Sequence, residues 1–120
     1  MKSYRELEIY RKAHSLALEI HKVSLTLPKY ELYEIGSQIR RSSKSISYNI
    51  VEGYGRKKYK NDFIKFLIYS QSSCDEVNDQ LDYINEIHKA DNPLLELKEN
   101  YVVLGKQINK FIQYVDKNWK

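Results

Sequence analysis

The stretch from residue 35 to residue 53 constrains the fold most, because apolar and small residues recur in it at steps of three and four. This spacing is typical of one face of an α-helix and differs from the alternation of a strand. Several positions on the face are small, which lets a neighbouring helix approach closely. Arg40 and Lys44 are predicted on the opposite face, and Arg41 on a flank. The packing face comprises Ile35, Ile39, Ser42, Ile46, Asn49, Ile50 and Gly53.

Three more segments show helical spacing, and helix-breaking residues are scarce, with four Gly and two Pro in the whole chain. The predicted helices cover about residues 4–27, 32–54, 60–89 and 93–117. Because the connections are short, consecutive helices are expected to be antiparallel neighbours. The sequence therefore predicts an all-α fold. We expect one domain over residues 1–120, an antiparallel up-down-up-down four-helix bundle.

Capping signals mark several of the predicted helix ends. Helix 1 opens with Ser3-x-x-Glu6, which has the form of a capping box, and Pro28 is expected to end it. Helix 4 opens at Asn92, a predicted N-cap, with Pro93 at the first helical position.

Two serine-rich segments allow an alternative secondary structure. Residues 42–45 have low helix propensity and could form a loop, and Ser72-Ser73 could start a new helix. The apolar spacing passes through both segments without losing phase, so both are predicted as helix interior. The small Ser70 and Cys74 could then face the small residues of helix 2.

The composition and the apolar pattern indicate the cellular compartment in which the protein is expected. No apolar run approaches the length of about 18 residues that spans a membrane, and no secretory signal pattern opens the chain. The single Cys74 cannot form an internal disulfide, which favours a reducing cytoplasm. Its place on an apolar stripe beside Asp75 and Glu76 predicts a raised thiol pKa and a structural role.

The net charge of +4 conceals a strong asymmetry along the chain. Residues 40–65 carry eight Lys/Arg against two acids, a net of +6. Residues 71–100 carry eight acids against two lysines, a net of −6. Such a layout steers an anionic ligand to one part of the molecule, or brings subunits together in an ordered way.

Helix 1 has a second stripe besides its core face. Leu7, Leu18 and Leu25 are stacked almost in line on a helix, and His14 and His21 fall in the same stripe. An isolated bundle would place charged residues there. The pattern predicts a surface through which copies of the chain associate.

Nothing in the sequence assembles a catalytic or metal site. His14 and His21 are about 10 Å apart along a helix, too far for one metal ion, and His88 falls on the core line of helix 3. The segment 53–55 lacks the Gly-Lys-Ser/Thr ending of a phosphate loop and is interpreted as a helix stop. We expect no enzyme activity, no metal and no cofactor.

The basic segment with its tyrosines is the best candidate for a binding site. Lysine and arginine neutralise phosphates, and tyrosine faces stack on unpaired bases. Glu52 is expected to orient Arg56. Alternatively, the segment is a solvated charged face, or it pairs with the acidic 71–100 stretch of another subunit in a protein–protein scaffold. The predicted phosphate contacts are Arg40, Arg41, Lys44, Arg56, Lys57, Lys58 and Lys60, and the predicted stacking residues are Tyr54 and Tyr59.

Several motifs together resemble the bacterial four-helix-bundle family encoded in intervening sequences of 23S rRNA genes. The specific part of the resemblance runs from Gln38-Ile39-Arg40-Arg41-Ser42 to Glu52-Gly53-x-Gly55-Arg56. Ser47 departs from the proline common at that position, and Ser42-Ser43 replaces a more alanine-like pair. The remaining motifs are Leu7-Glu8-Ile9-Tyr10-x-x-Ala13, Leu27-Pro28-x-x-Glu31, Ser45-Ile46, Asn49-Ile50 and Phe63-x-x-Phe66-Leu67.

The resemblance implies an antiparallel four-helix bundle that assembles as a ring-like homopentamer. A related branch is the accessory variability protein of diversity-generating retroelements, which binds a reverse transcriptase and nucleic acid through a basic surface. The sequence and the resemblance together predict a non-enzymatic, oligomeric accessory protein that binds nucleic acid, with RNA as the expected class.

Overall fold

The computed structural model describes residues 2–89 and 92–120, with the side chain of Asn92 left aside. Over these residues the chain forms helices and no strand, which confirms the all-α prediction. Two short 3-10 turns, at Tyr4–Glu6 and Lys29–Glu31, precede the first two long helices. The four long helices are α1 (Glu8–Ser24), α2 (Ile35–Gly55), α3 (Lys60–His88) and α4 (Asn92–Asn118).

The helices run antiparallel, as hydrogen bonds between neighbouring elements show. The α3 residue Ser70 donates to the Ile46 carbonyl of α2. Lys60, the first residue of α3, donates to the carbonyl of Asp116, which lies near the end of α4. Each helix packs against the next, and α4 closes the bundle against α1. The result is a rod of 48 × 21 × 20 Å.

One continuous apolar core runs along the axis of the rod. Its largest fully buried side chains include Phe63 and Tyr101. Each large apolar side chain removed from water contributes about 1.5–3 kcal/mol before entropy is counted. The other members of the core without measurable exposure are Ala13, Ile46, Ile50, Leu67, Cys74, Val77, Leu104, Ile108 and Val115.

The serine-rich segments lie inside α2 and α3, so the chain forms neither a loop at residues 42–45 nor a new helix at Ser72-Ser73. Ser43 and Ser47 are buried, and each hydroxyl donates to a backbone carbonyl three residues earlier, at 3.1 and 3.0 Å. This local bonding lets a hydroxyl enter a helix–helix interface without an unmet donor. Between helices, the Ser45 and Ser73 hydroxyl oxygens lie 2.9 Å apart. Small hydroxyl side chains therefore hold α2 close to α3.

The predicted capping box at the start of helix 1 is wrong. Ser3 Oγ accepts a hydrogen bond from the Arg5 amide and caps the short 3-10 turn. Glu6 Oε2 accepts from the Lys2 amide at 2.9 Å, rather than from the amide of Ser3. The long helix α1 begins later, at Glu8, without a side-chain cap.

Two other predicted boundaries shift by three residues. Helix α1 ends at Ser24 rather than near residue 27, and α2 begins at Ile35 rather than near residue 32. The 3-10 turn at Lys29–Glu31 occupies the connection. The predicted N-cap at Asn92 lies outside the described side chains.

Candidate nucleic-acid interface

Arg40 is turned into the protein, so its predicted place on the solvent face of α2 is wrong. Its Nη1 donates to Ser24 Oγ at 2.9 Å, and its Nη2 donates to the Leu32 carbonyl at 2.8 Å. Gly36 makes room for the guanidinium, because a Cβ there would come within 3.2 Å of Nη1. Arg40 therefore fixes the connection between α1 and α2 and is not available for phosphate.

Arg41 and Lys44 lie near the middle of α2, away from the other predicted cations. Arg41 lines a polar groove between α2 and α3 that also contains Glu76. Lys44 lines a groove between α1 and α2 with Tyr48. At 1.5 Å per residue, Arg41 is about 22 Å along the axis from Arg56. The predicted contact residues of helix 2 therefore do not form one continuous surface.

The bundle instead gathers cations from three distant segments at one end. Residues 2–12, 52–65 and 106–120 meet there, and together they carry thirteen Lys/Arg against five acids, a net of +8. Because the whole chain has a net charge of +4, the remainder carries −4. We call this region the basic end. Its cations are Lys2, Arg5, Arg11, Lys12, Arg56, Lys57, Lys58, Lys60, Lys65, Lys106, Lys110, Lys117 and Lys120.

The last residues of α4 hold the turn between α2 and α3 in place. Trp119 Nε1 donates to the Lys57 carbonyl at 2.9 Å. The indole also meets the Phe63 ring edge-to-face, with centroids 5.2 Å apart. In turn, Lys60 Nζ donates to the Asp116 carbonyl. These contacts bring the cations near residue 120 beside those near residue 58.

Arg56 is the most neutralised cation of the basic end. Its Nε lies 3.1 Å from Glu52 Oε2, which confirms the predicted contact, and its Nη1 lies 3.8 Å from Asp62 Oδ2. The guanidinium also covers the Phe66 ring, 5.0 Å from the centroid. Over the described residues, the lysines of the basic end have no carboxylate within 4.0 Å. The free positive charge is therefore mainly lysine.

The two predicted stacking tyrosines have different surroundings. Tyr54 is only 9% exposed and packs edge-to-face on Phe63, with the Lys57 ammonium 3.8 Å from its ring centroid. Its assignment as a base-stacking residue is therefore wrong, since its ring belongs to the core. Tyr59, at the start of α3, is 63% exposed and remains available.

The predicted association stripe on helix 1 is shorter than expected. Leu7 is buried and belongs to the core, so its inclusion was wrong. Leu18 and Leu25 are each 56% exposed, and His14 and His21 also face solvent. The middle of the stripe borders the α1–α2 groove, which measures about 360 Å³.

Cys74 and His88, the other titratable side chains discussed from the sequence, each contact another element of the bundle. Cys74 is fully buried, and its thiol donates to the Tyr101 carbonyl at 3.3 Å. Burial, reinforced by Asp75, raises the pKa of the Cys74 thiol to about 12, as predicted in direction. His88 Nε2 lies 2.7 Å from Glu31 Oε2 at the other end of the bundle.

The described residues contain neither a cluster of metal-ligating side chains nor a helix that could span a membrane. In residues 2–89 and 92–120, no three His, Cys, Asp or Glu side chains come close enough together to hold a metal ion. In the same residues, no helix is both long enough and apolar enough to cross a membrane.

Sequence reasoning missed the contribution of the chain's last turn to the basic end. Trp119, Lys117 and Lys120 were not among the predicted contact residues. A lone tryptophan with Lys117 and Lys120 close to it in the sequence was a usable signal. Trp119 becomes part of the basic end only because the end of α4 packs against the turn between α2 and α3.

The fold and the site define a small four-helix bundle with one strongly cationic end. The chain belongs to the 23S rRNA-intervening sequence protein family, whose model matches residues 5–110. This finding confirms the resemblance seen in the motifs. Trp119, Lys117 and Lys120 lie beyond the matched residues.

A solved structure shares this fold. It is a protein of unknown function from the S23 ribosomal protein family of Bacteroides thetaiotaomicron, with a TM-score of 0.74 and 20% identity. The alignment covers 88% of this chain and 95% of that one. At this identity the similarity shows the fold alone. No curated protein matches the chain.

Proposed function

We propose that this protein is a non-catalytic accessory protein that binds nucleic acid through the basic end. The observation that carries the proposal is the net charge of +8 at one end of a rod only about 20 Å across. Lysine and arginine that neutralise phosphates release condensed counterions, which drives association with any nucleic acid. The family description refers to 23S rRNA, so RNA is the first ligand to test.

The arrangement of the charges supports this function in two ways. The lysines of the basic end are not consumed by ion pairs with carboxylates of the described residues. The remainder of the chain has a net charge of −4 and repels phosphate. A polyanion is therefore steered to one end of the molecule. The proposed contacts now centre on Lys58, Lys117 and Lys120, with Arg56 held by Glu52 in a lesser role.

Assembly forms a second part of the proposal. The exposed Leu18 and Leu25, with His14 and His21 between and beside them, provide an apolar strip for a second copy of the chain. The family resemblance favours a ring of five subunits. A ring would present several basic ends to one polynucleotide, and avidity would strengthen weak single contacts. We place this assembly in the cytoplasm, where the single buried Cys74 stays reduced.

Salt dependence of binding tests the proposal. We would measure fluorescence anisotropy of a labelled single-stranded RNA over a range of salt, using the full chain. The double variant Lys58→Ala/Lys120→Ala should bind more weakly, and the slope of log Kd against log salt should fall by about 1.4, or about 0.7 per lost contact. The matched control is Lys22→Ala/Lys29→Ala, which removes two exposed lysines outside the basic end.

The control should retain both the affinity and the salt slope of the unaltered protein, apart from a small effect of net charge. Binding that does not change with salt, or two double variants that weaken binding equally, would contradict the proposal.

The separation of charge also favours a second candidate, a homo-oligomeric scaffold without a nucleic-acid ligand. In it, the basic end of one subunit meets the acidic part of the next. High salt would then dissociate the oligomer, and added RNA would leave its mass unchanged. Light scattering over a salt series, with and without RNA, separates this scaffold from the first candidate.

A further inference from the structure

A groove at the basic end places the single tryptophan of the chain among lysines. It measures about 450 Å³ and lies between the α2–α3 turn and the last residues of α4. We call it the Trp119 groove. Part of it lies beyond the residues that match the family model, so family membership does not account for it. Its lining residues are Lys57, Lys58, Asn118, Trp119 and Lys120.

The Trp119 indole is fixed before any ligand arrives. Its N–H donates to the Lys57 carbonyl at 2.9 Å. Its ring meets the rings of Phe63 and Tyr114 edge-to-face, with centroids 5.2 and 6.5 Å apart. The ring is nevertheless only half-buried. Because the one polar group of the indole is already bonded, a ligand can use only its aromatic surface. A side chain held in this way loses little entropy on binding.

Lysines line the groove beside the indole, and a second aromatic ring lies next to one of these lysines. Lys58 and Lys120 are exposed and have no carboxylate within 4.0 Å in the described part of the chain. Lys58 Nζ also lies 6.0 Å from the ring centroid of Tyr59, which is 63% exposed. Aromatic faces with lysines beside them are the combination that binds bases and phosphates of single strands.

The shape of the basic end does not suit a duplex. Neighbouring pairs cover both faces of each base in a duplex, so an aromatic side chain stacks only on an unpaired base. Reading the major groove requires an inserted helix or β-ribbon. In the described part of the chain, the basic end instead presents one turn and the termini of helices.

We infer that the Trp119 groove is a site for single-stranded nucleic acid. Trp119 stacks on an unpaired base, and Lys58 and Lys120 hold the phosphates on either side. This inference rests on the proposed function and specifies its ligand. Because the indole has no free hydrogen-bond donor, stacking is tolerant of base identity.

The single tryptophan makes the inference directly measurable, since its fluorescence reports contact with a base. The full chain would be titrated with a single-stranded oligouridylate of about 12 nucleotides and with an RNA duplex of the same length, at one salt concentration. We expect saturable quenching by the single strand and little quenching by the duplex. Anisotropy should show single-strand binding tighter by about tenfold.

Two variants separate stacking from folding. Trp119→Leu should weaken single-strand binding by about tenfold and leave duplex binding within about twofold. Its folding would be checked by circular dichroism. Tyr59→Leu alters an exposed ring that is not in the core, and should weaken single-strand binding by about threefold without loss of stability.

Failure of the inference is distinguishable from failure of the proposed function. Salt-sensitive binding of both ligands with equal affinity and no quenching would overturn the single-strand assignment and leave the proposed function standing. Absence of binding to either ligand would overturn both.

Discussion

His88 Nε2 and Glu31 Oε2 lie 2.7 Å apart, and they join the end of α3 to the 3-10 turn before α2. Both side chains are nearly buried, at 14% and 10% exposure. Removing one member of such a pair leaves the other without its hydrogen bond in a poorly solvated place. The contact therefore ties together two connections at the end of the bundle opposite to the basic end.

The first prediction concerns this pair. His88→Ala should lower the free energy of unfolding by about 2 kcal/mol, because Glu31 loses its partner. Glu31→Ala should cost a similar amount, and the double variant clearly less than the sum of the two. Urea unfolding in a double-mutant cycle measures the coupling. Strictly additive losses would contradict the contact.

The second prediction separates the structural role of Arg40 from a ligand role. Arg40→Lys cannot make both hydrogen bonds, to Ser24 Oγ and to the Leu32 carbonyl, because an ammonium lacks the fork of the guanidinium. Unfolding free energy should fall by about 1–2 kcal/mol. The affinity for RNA, measured by anisotropy at a temperature where the variant is folded, should not change.

Arg41→Lys is the matched control for Arg40, since Arg41 is its exposed neighbour on α2. That change should leave stability within about 0.5 kcal/mol. Equal losses in the two variants would refute the special position of Arg40.

The third prediction compares two glycines of the same helix. A Cβ at Gly53 would lie 3.1 Å from Phe66 Cβ and 3.3 Å from Phe63 Cδ1, whereas a Cβ at Gly55 would meet nothing within 4 Å. Gly53→Ala should destabilise the bundle by about 1 kcal/mol or more through overpacking. Gly55→Ala should stabilise it by about 0.5 kcal/mol, because alanine favours the helix.

Thermal melts of the two glycine variants would test this difference. The two changes share their chemistry and differ only in the space around the new methyl group. Melting temperatures that move together would show that α2 and α3 are not in close contact near Gly53.

The fourth prediction follows from the pKa of Cys74, which burial raises from 9.0 to about 12. Between about pH 9 and pH 12, the folded chain keeps the thiol proton whereas the unfolded chain releases it. The unfolded state thus binds fewer protons, so stability falls as pH rises from about 9 towards 12. The contribution is fully present below about pH 9.

A Cys74→Ala variant isolates this contribution. Its loss of stability relative to the unaltered chain should be about 1.4 kcal/mol smaller at pH 10 than at pH 7.5. Denaturant unfolding at both pH values measures the change. A difference that does not depend on pH would show that the thiol titrates normally. Tyr101, whose pKa is raised by burial and to a smaller extent by Cys74, acts in the same direction and is present in both proteins.

Local sequence patterns predicted much of the architecture. The spacing of apolar residues located all four long helices, including the serine-rich part of α2, because helical phase is a property of neighbouring residues. Helix ends were less accurate. The 3-10 turns at Tyr4–Glu6 and Lys29–Glu31 satisfy backbone groups in short segments that have no periodicity to read.

The direction of individual side chains was harder to predict than the helices. Arg40, Tyr54 and Leu7 were all expected at the surface, yet each is drawn inward. For Arg40 and Tyr54 the reason is a contact from another element, the Leu32 carbonyl and the Phe63 ring respectively. A helical wheel shows which residues share a face, but it does not show which residues of other elements pack against that face.

By itself, the sequence determined four amphipathic helices, their antiparallel order and an uneven distribution of charge, because these depend on short-range spacing and on composition. Only the tertiary structure decided where the charge collects. Residues 2–12, 52–65 and 106–120 are far apart in the chain and become one basic end when antiparallel packing returns α4 to the α2–α3 turn. Trp119 enters the candidate site for the same reason, since its neighbours there are set by packing.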